Sequence, residues 1–256
     1  FIDDAKKLNP KIIDFNKSTK EAEFNSNSSH NSLTLESRQI GISLLGGTGI
    51  MHNHRNVFSA GFWVRSRGLT YLVTCGHCAA GGTKNPDGFI DFYYTPWNDV
   101  SNFSPEDYIG PMTMSDVAVV DRAFILRNNS RFIPSPNIKN SDFRVYPELQ
   151  ISDVILGPDQ SMIGLPVCKS GYRTHVLCGE LRSVNAKIIQ SGKNYENMIL
   201  TSHIGKQGDS GAPVFIFSDV FALGPLRVHL IGMLSGTSES DTFNSVTPIF
   251  KILKDN

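Results

Sequence analysis

Short apolar runs separated by Gly, Pro, Asn and Asp dominate the chain from Ile40 onward. Many of these runs have the length and the alternation typical of β-strands. "VFSAGFWVR" (57–65) and "LTYLVTC" (69–75) are two of them, and Gly68 marks a hairpin turn between them. A further candidate strand is the β-branched run over residues 116–121. This pattern of many short strands predicts an all-β sandwich or barrel.

The two ends of the chain differ from the strand pattern. Residues 1–40 contain an Asn-, Ser- and Lys-rich stretch with little apolar periodicity, which predicts a flexible linker or the tail of a pro-segment. Residues 246–256 predict a short helix, with Thr247 as its N-cap and Pro248 at its first position. We therefore divide the chain into a flexible segment, 1–40, and a folded domain, 41–256.

Composition excludes several classes of partner. The 256 residues contain 24 basic and 24 acidic side chains, a balance that favours neither a nucleic acid nor a charged membrane surface as partner. The longest apolar region, 212–236, is interrupted by charged residues and a proline, so we expect no membrane span. Four cysteines permit two disulfides in three connectivities.

Three short stretches carry residues suited to acyl transfer: "VTCGHC" with His77, "SDVAVVD" with Asp116 and "GKQGDSGAPVF" with Ser210. A serine nucleophile needs a base to accept its proton, and the base needs a carboxylate to fix its tautomer. The oxyanion needs N–H donors, which Gly208 and Ser210 can supply from the backbone. The residue types predict a catalytic triad.

The stretch Cys75-Gly76-His77-Cys78 allows two other interpretations. A zinc site needs four ligands at suitable spacing, and the nine-residue gap of the second cysteine pair is unusual for one. A dithiol of the disulfide-isomerase type would open a helix in a domain of alternating strands and helices, and no such pattern follows Cys78. We therefore predict neither a metal ion nor any other cofactor.

Taken together, "VTCGHC…SDVAVVD…GDSGAPV" resembles the chymotrypsin-like serine proteases in their His–Asp–Ser chain order. "FSAGFWV" and "LPVCKSGYRTHVLCGEL" (165–181) are similar to the bacterial-type branch of streptogrisin and α-lytic protease. The resemblance covers roughly residues 42–254. It implies two six-stranded antiparallel β-barrels, over about 41–135 and about 136–256, followed by a short C-terminal helix.

The resemblance also implies roles for particular residues. Asp116 is preferred over Asp121 and Asp99 as the triad carboxylate, because it alone opens an apolar run in the manner of the family. The bacterial-type pattern implies a Cys168–Cys178 disulfide. It further implies a buried ion pair between Lys169 and Asp209, the residue before the nucleophile, because an unpaired carboxylate there would be costly.

Cys75 and Cys78 depart from the family pattern. The family usually has alanine at the place of Cys75, and the usual disulfide partner of Cys78 would lie near Phe58, where no cysteine stands. Cys78 is therefore either free or paired with Cys75. We hypothesise a disulfide between Cys75 and Cys78, which stand on either side of the base His77.

The predicted function is a secreted, extracellular and monomeric serine endopeptidase that acts on proteins or peptides. Its specificity pocket is expected where the family builds it, from residues that carry no carboxylate: Ile204, Gly205, Leu234, Ser235, Gly236 and Thr237. An apolar residue is therefore expected at P1, the substrate residue before the cleaved bond. The alternative is an inactive pseudoprotease that serves as a binding module, because Cys75 beside His77 could distort the base.

Overall fold

The computed structural model describes residues 41–53, 56–97, 104–190, 192–218, 225–238, 240 and 242–254. The predicted flexible segment 1–40 and Asp99 lie outside these residues. Within them, no helix combines the length and the apolar character needed to cross a membrane.

Sixteen strands and one α-helix form the described part of the chain. The first eight strands are β1 Ile42–Gly46, β2 Gly49–His52, β3 Val57–Ser59, β4 Trp63–Ser66, β5 Leu69–Thr74, β6 Ile90–Thr95, β7 Tyr108–Asp116 and β8 Arg122–Leu126. The remaining elements are β9 Phe132–Lys139, β10 Glu148–Val154, β11 Pro166–Gly171, β12 His175–Gln190, β13 Lys193–Ser202, β14 Pro213–Phe217, β15 Arg227–Thr237, β16 Phe243–Pro248 and the helix α1 Ile249–Leu253.

The strands form two sheets. One has seven strands in the order β3-β2-β6-β7-β8-β5-β4, and the other has nine in the order β1-β9-β10-β15-β14-β11-β12-β13-β16. An additional pairing of β15 with β16 links strands inside the second sheet. The predicted hairpin of β4 and β5 is present, and Gly68 takes a left-handed φ of 79° in its turn. The all-β architecture predicted from the sequence is confirmed.

Two features of the sheets differ from the expectation. The sheets contain seven and nine strands rather than six each, and two of the pairings, β1 with β9 and β10 with β15, are parallel. β1 comes from the N-terminal end of the domain but pairs in the nine-stranded sheet, and the expected boundary at residue 135 falls inside β9. Parallel partners are distant in the chain, so local sequence patterns do not reveal them.

The C-terminal helix begins one residue later than predicted. Pro248, with an extended ψ of 146°, is the N-cap of α1, and Thr247 lies in β16. The guanidinium of Arg122 donates to the carbonyl oxygens of Lys251, Ile252 and Lys254 at 3.0, 2.7 and 2.6 Å. These bonds satisfy carbonyls that a helix end leaves without partners. They tie the start of β8 to the end of the chain.

Candidate active site

His77 stands on a short turn that follows β5. The turn, Gly76–Ala79, is a single 3₁₀ segment, and Cys75 and Cys78 on either side of the histidine are fully buried. The imidazole remains 33% exposed. A Cβ atom at Gly76 would lie 2.1 Å from the carbonyl oxygen of Asp116, so only glycine fits there. Packing on both sides therefore holds the turn and leaves His77 facing outward.

Asp121 holds His77 through two hydrogen bonds. Nδ1 of the imidazole lies 2.7 Å from Oδ2, and the backbone N–H of His77 donates to Oδ1 at 2.9 Å. A carboxylate accepts hydrogen bonds and does not donate them, so Nδ1 carries the proton and Nε2 keeps its lone pair. Asp121 itself is buried. This is the arrangement that prepares a histidine to act as a base.

The assignment of Asp116 as the triad carboxylate is corrected by this geometry. β7 ends at Asp116, and its Oδ1 accepts from the backbone N–H groups of Ala118 and Val119 at 2.8 and 3.3 Å. Asp116 thus stabilises the turn between β7 and β8, and the carboxylate that accepts from His77 is that of Asp121 on the other side of that turn.

The error has a local cause. Residues 117–121 are not the strand that their β-branched composition predicted, because the chain turns there and β8 starts at Arg122. Asp121-Arg-Ala-Phe-Ile-Leu also places a carboxylate directly before an apolar strand. That second match was the signal for the residue that is hydrogen-bonded to His77. The hydroxyl of Tyr195 donates to Val117 O at 2.8 Å and ties this turn to β13.

Ser210 lies on a loop that is fastened to the His77 side of the molecule. Its carbonyl oxygen accepts from Ser59 N at 2.8 Å. Thr74, the residue before Cys75, donates its hydroxyl to Ser59 O at 3.0 Å. A Cβ at Gly211, which has a φ of 90°, would lie 2.3 Å from both Ser59 O and Thr74 Oγ1. These contacts bring the loop of Ser210 against the end of β5, from which His77 extends.

The N–H groups of Gly208 and Ser210 are available to a ligand. Gly208 has a left-handed φ of 100°, which favours glycine. Around them, Asp209 N donates to Lys206 O and Gly211 N donates to Leu234 O, both at 2.9 Å. Within the described residues, no hydrogen bond uses the N–H of Gly208 or that of Ser210. These are the two donors that the sequence predicted for an oxyanion hole.

Ser59 is a buried support for this loop that the sequence did not reveal. Its hydroxyl accepts from Tyr172 N at 2.9 Å and donates to Gly208 O at 3.1 Å. The same residue binds Ser210 O through its backbone. A single fully buried serine therefore connects Gly208, Ser210 and Tyr172.

We expect Ser59→Ala to lower the free energy of unfolding by about 1–3 kcal/mol, because the buried hydrogen bonds of its hydroxyl with Tyr172 N and Gly208 O are lost. A loosened Gly208 should also lower kcat/KM, by up to about 100-fold if the loop moves by about 1 Å. Urea unfolding and steady-state kinetics measure the two effects. Ser161→Ala is the matched control: its exposed hydroxyl bonds to the surface residue Asp159, so the change should alter stability by less than about 0.5 kcal/mol. Equal stability losses in both variants would contradict the role of Ser59.

The structure contains the Lys169–Asp209 ion pair that the resemblance predicted. Nζ lies 3.2 Å from Oδ2, and both side chains are 0% exposed. Nζ also donates to Thr174 Oγ1 at 2.5 Å and to His175 O at 2.7 Å. Burial lowers the pKa of Lys169 to about 8, while the charge of Asp209 acts in the opposite direction.

Asp209 is bonded on several sides besides Lys169. Its Oδ1 accepts from Arg173 N and Thr174 N at 2.7 and 3.1 Å, and its Oδ2 accepts from Thr174 Oγ1 and Lys206 N at 2.6 and 3.0 Å. The residue before Ser210 is therefore held by a charge and a shell of hydrogen bonds, which fixes the backbone of the loop.

We expect Lys169→Met to lower the free energy of unfolding by about 3–5 kcal/mol, because it leaves the buried Asp209 carboxylate without its counter-charge. The matched control is Lys187→Met, which removes an exposed pair with Glu196 and should cost less than about 1 kcal/mol. Denaturant unfolding of both variants provides the comparison. If Lys169→Met kept wild-type stability and activity, the ion pair would have no supporting role.

Both disulfides are present. Cys168 and Cys178 face each other on the paired strands β11 and β12, and Cys75 is bonded to Cys78 across the His77 turn. The hypothesis of a bond between Cys75 and Cys78 is thus borne out by the structure, and the free-thiol alternative is not. Cys75 Sγ lies 3.6 Å from Nε2 of His77.

The predicted pocket segments lie against each other. A Cβ at Gly205 would be 2.7 Å from Leu234 Cδ2, and Thr237 Oγ1 donates to Gly205 O at 3.4 Å. Asn244, which the sequence did not single out, joins the two segments: its Oδ1 accepts from Gly205 N at 3.0 Å and its Nδ2 donates to Gly236 O at 3.2 Å. Ile204 and Ser235 complete the group as buried residues. Asn244 lies in β16, outside the motifs, so no local sequence pattern indicated its role.

Comparison with known proteins identifies the fold. No model of a protein family matches the sequence, and no curated protein matches it either. Among solved structures, Thermobifida fusca protease A is 20% identical with a TM-score of 0.59, covering 83% of this chain and 95% of its own. Cellulomonas bogoriensis chymotrypsin is 21% identical with a TM-score of 0.59, over 83% and 94%.

A third similar structure is a glutamic-acid-specific serine protease that uses a histidine triad in substrate binding. It is 21% identical with a TM-score of 0.60, over 82% of this chain and 95% of its own. The chain therefore has the two-barrel chymotrypsin-like fold of bacterial serine proteases. The resemblance to the bacterial branch, inferred from short motifs, is confirmed at the level of the fold.

Proposed function

We propose that this chain is a serine endopeptidase in which His77, Asp121 and Ser210 form the catalytic triad. The observation that carries the proposal is the pair of hydrogen bonds that holds His77 to the buried Asp121. The loop of Ser210 is fastened next to that turn through Ser59 and Thr74. A histidine fixed with its Nε2 lone pair free is suited to take a proton from a serine.

Acylation uses each of these groups. Ser210 Oγ attacks the carbonyl carbon of a peptide bond while Nε2 of His77 takes the hydroxyl proton. Asp121 stabilises the imidazolium that results, because its carboxylate accepts from Nδ1–H. The free N–H groups of Gly208 and Ser210 bind the oxyanion, and His77 then returns the proton to the leaving amine.

Deacylation repeats the same steps with water. His77 takes a proton from the water that attacks the acyl-enzyme, and Ser210 is released when the proton returns to its oxygen. The protein chain supplies every catalytic group that acylation and deacylation need. The reaction is therefore complete with a peptide substrate and water.

A pseudoprotease with the same fold is the second candidate, and one observation favours it. Among the described residues, the Ser210 hydroxyl has no hydrogen-bond partner, and the atom that contacts Nε2 of His77 is Cys75 Sγ at 3.6 Å. Catalytic hydrogen bonds are often long in unliganded enzymes and shorten when substrate binds. We therefore prefer the active enzyme.

Labelling with a fluorophosphonate tests this proposal, because the reagent reacts with an activated serine. We expect labelling of the wild-type chain, with the modified residue mapped to Ser210 by peptide mass spectrometry. His77→Ala should abolish the labelling because Ser210 then has no base. An unlabelled wild-type protein that is correctly folded would favour the pseudoprotease.

We further propose an apolar P1 preference. The pocket segments contribute Ile204 and Leu234, and neither carries a charged side chain. Lys169 and Asp209, which both lie against Gly205, form an ion pair with each other. A peptide-library cleavage profile should therefore show Leu, Phe or Met before the cleaved bond. Glu at that position would instead implicate His203, which stands next to Ile204, and Arg or Lys would contradict the pocket assignment.

The cysteines support a location of the protein outside the reducing cytosol. All four are in disulfides, and such bonds persist in oxidising compartments. We propose that this protein is a secreted enzyme that acts on proteins or peptides. Its monomeric state remains a prediction.

A further inference from the structure

The sulfur atoms of Cys75 and Cys78 form a close cluster with a ring nitrogen of His77. Their candidate ligand atoms all lie within 4.8 Å of one another. The 3.6 Å between Cys75 Sγ and Nε2 equals the S···N edge of a tetrahedral zinc site, which is about 3.6 Å for the usual Zn–S and Zn–N bond lengths. The turn thus already places Cys75 Sγ and His77 Nε2 at the separation expected for two ligands of one zinc ion.

Asp121 prepares His77 for a metal as well as for a proton. Its carboxylate binds Nδ1–H at 2.7 Å and leaves the lone pair of Nε2 directed away from Asp121. Zinc-binding histidines commonly use a carboxylate in this way, which fixes the ring and raises its basicity. Two thiolates would also balance the charge of a divalent cation in these buried surroundings.

The disulfide decides whether the sulfurs are ligands. In the oxidised chain they are bonded to each other. A dithiol reductant supplies two electrons and two protons: the S–S bond breaks, an S–H forms on each cysteine, and the reductant becomes a disulfide. Zn²⁺ then displaces the two thiol protons as its Zn–S bonds form, and the lone pair of Nε2 makes the third bond.

We propose that reduction of the Cys75–Cys78 disulfide creates a zinc site made of Cys75, Cys78 and His77, and that the bound metal inhibits the enzyme by occupying Nε2. The inhibition rests on the proposed protease function, whereas the metal site itself does not. The fourth position is open to water. The oxidised chain keeps Nε2 free for Ser210, so the disulfide protects the base from metal.

Cobalt binding tests the site without any catalysis. The Ser210→Ala chain is folded under a dithiol reductant, because both cysteines are fully buried, and the reductant is removed anaerobically before Co²⁺ is added. Cobalt that replaces zinc in a thiolate site gives a sulfur-to-metal charge-transfer band in the near ultraviolet. We expect this band in the reduced chain and none in the oxidised chain.

Two complementary variants assign the band. Cys168→Ser with Cys178→Ser removes the other cysteine pair and should keep the band. Cys75→Ser with Cys78→Ser should lose it, and His77→Ala, which removes a direct ligand, should weaken metal binding by more than the roughly 10–100-fold that loss of a residue orienting a ligand costs. A band that persists without Cys75 and Cys78, or the absence of any band in reduced Ser210→Ala, would overturn the proposal.

Hydrolysis by the chain with its native Ser210 provides the functional arm. At a zinc concentration about ten times the dissociation constant, activity of the reduced enzyme should fall about tenfold, and a chelator should restore it. The oxidised enzyme should keep its activity at that concentration. A cobalt site without zinc inhibition would refute the regulatory role. A cobalt site in a chain that never hydrolyses peptides would instead refute the proposed protease function.

Discussion

Replacing Ser210 by alanine is expected to lower kcat about 10^6-fold, as in serine proteases whose triads have been dissected. The hydroxyl is the nucleophile of the proposed mechanism, and no water can form the acyl-enzyme in its place. The residual rate should come from the oxyanion donors Gly208 N–H and Ser210 N–H and from substrate binding. Steady-state kinetics on a peptide ester and a peptide amide measure the loss.

Stability separates this loss from a folding defect. The Ser210 hydroxyl makes no hydrogen bond within the described residues, so its removal should change the free energy of unfolding by less than about 0.5 kcal/mol. Urea unfolding measures this directly. Wild-type kcat in a folded Ser210→Ala protein would refute the assignment of the nucleophile.

Asp121→Asn is expected to lower kcat about 10^4-fold while Asp116→Asn leaves it within about threefold. An amide at position 121 presents an N–H group to Nδ1 of His77, which moves the ring proton to Nε2. The base then has no lone pair for the Ser210 proton. Oδ1 of Asp116 accepts from the backbone N–H groups of Ala118 and Val119, and an asparagine oxygen can accept these two hydrogen bonds equally well.

The pair of variants is matched, because both change one carboxylate to an amide within five positions of the chain. Fluorophosphonate labelling rates should follow the same order as kcat. If Asp116→Asn lost more activity than Asp121→Asn, Asp116 would be the triad residue and the hydrogen bond of Asp121 would be structural only.

Residues within one continuous motif could be predicted well. His77, Ser210, Gly208 and the Lys169–Asp209 pair each stand in short stretches whose residue types match a known chemistry. The structure shows His77 bonded to a carboxylate, the Lys169–Asp209 ion pair and a left-handed φ at Gly208. Such motifs describe tight turns, in which neighbours along the chain are also neighbours in space.

Residues joined across strands could not be predicted in the same way. Asp116 and Asp121 both precede apolar residues, and only the position of the turn decides which of them meets His77. Asn244 and Ser59 bind loops far away in the chain, and no local pattern indicates these contacts. Hydrogen bonds of this kind depend on which distant segments the fold brings together, and a local sequence pattern does not contain that information.

The amino-acid sequence by itself determined the all-β class, the histidine and serine of the site, and the cysteines available for disulfides, because strand periodicity and turn chemistry are local. Only the tertiary structure decided which carboxylate orients His77 and which buried residues support the Ser210 loop. These choices follow from packing between segments that are distant in the chain. The two strands that bring them together, β5 and β8, are hydrogen-bonded neighbours in the sheet.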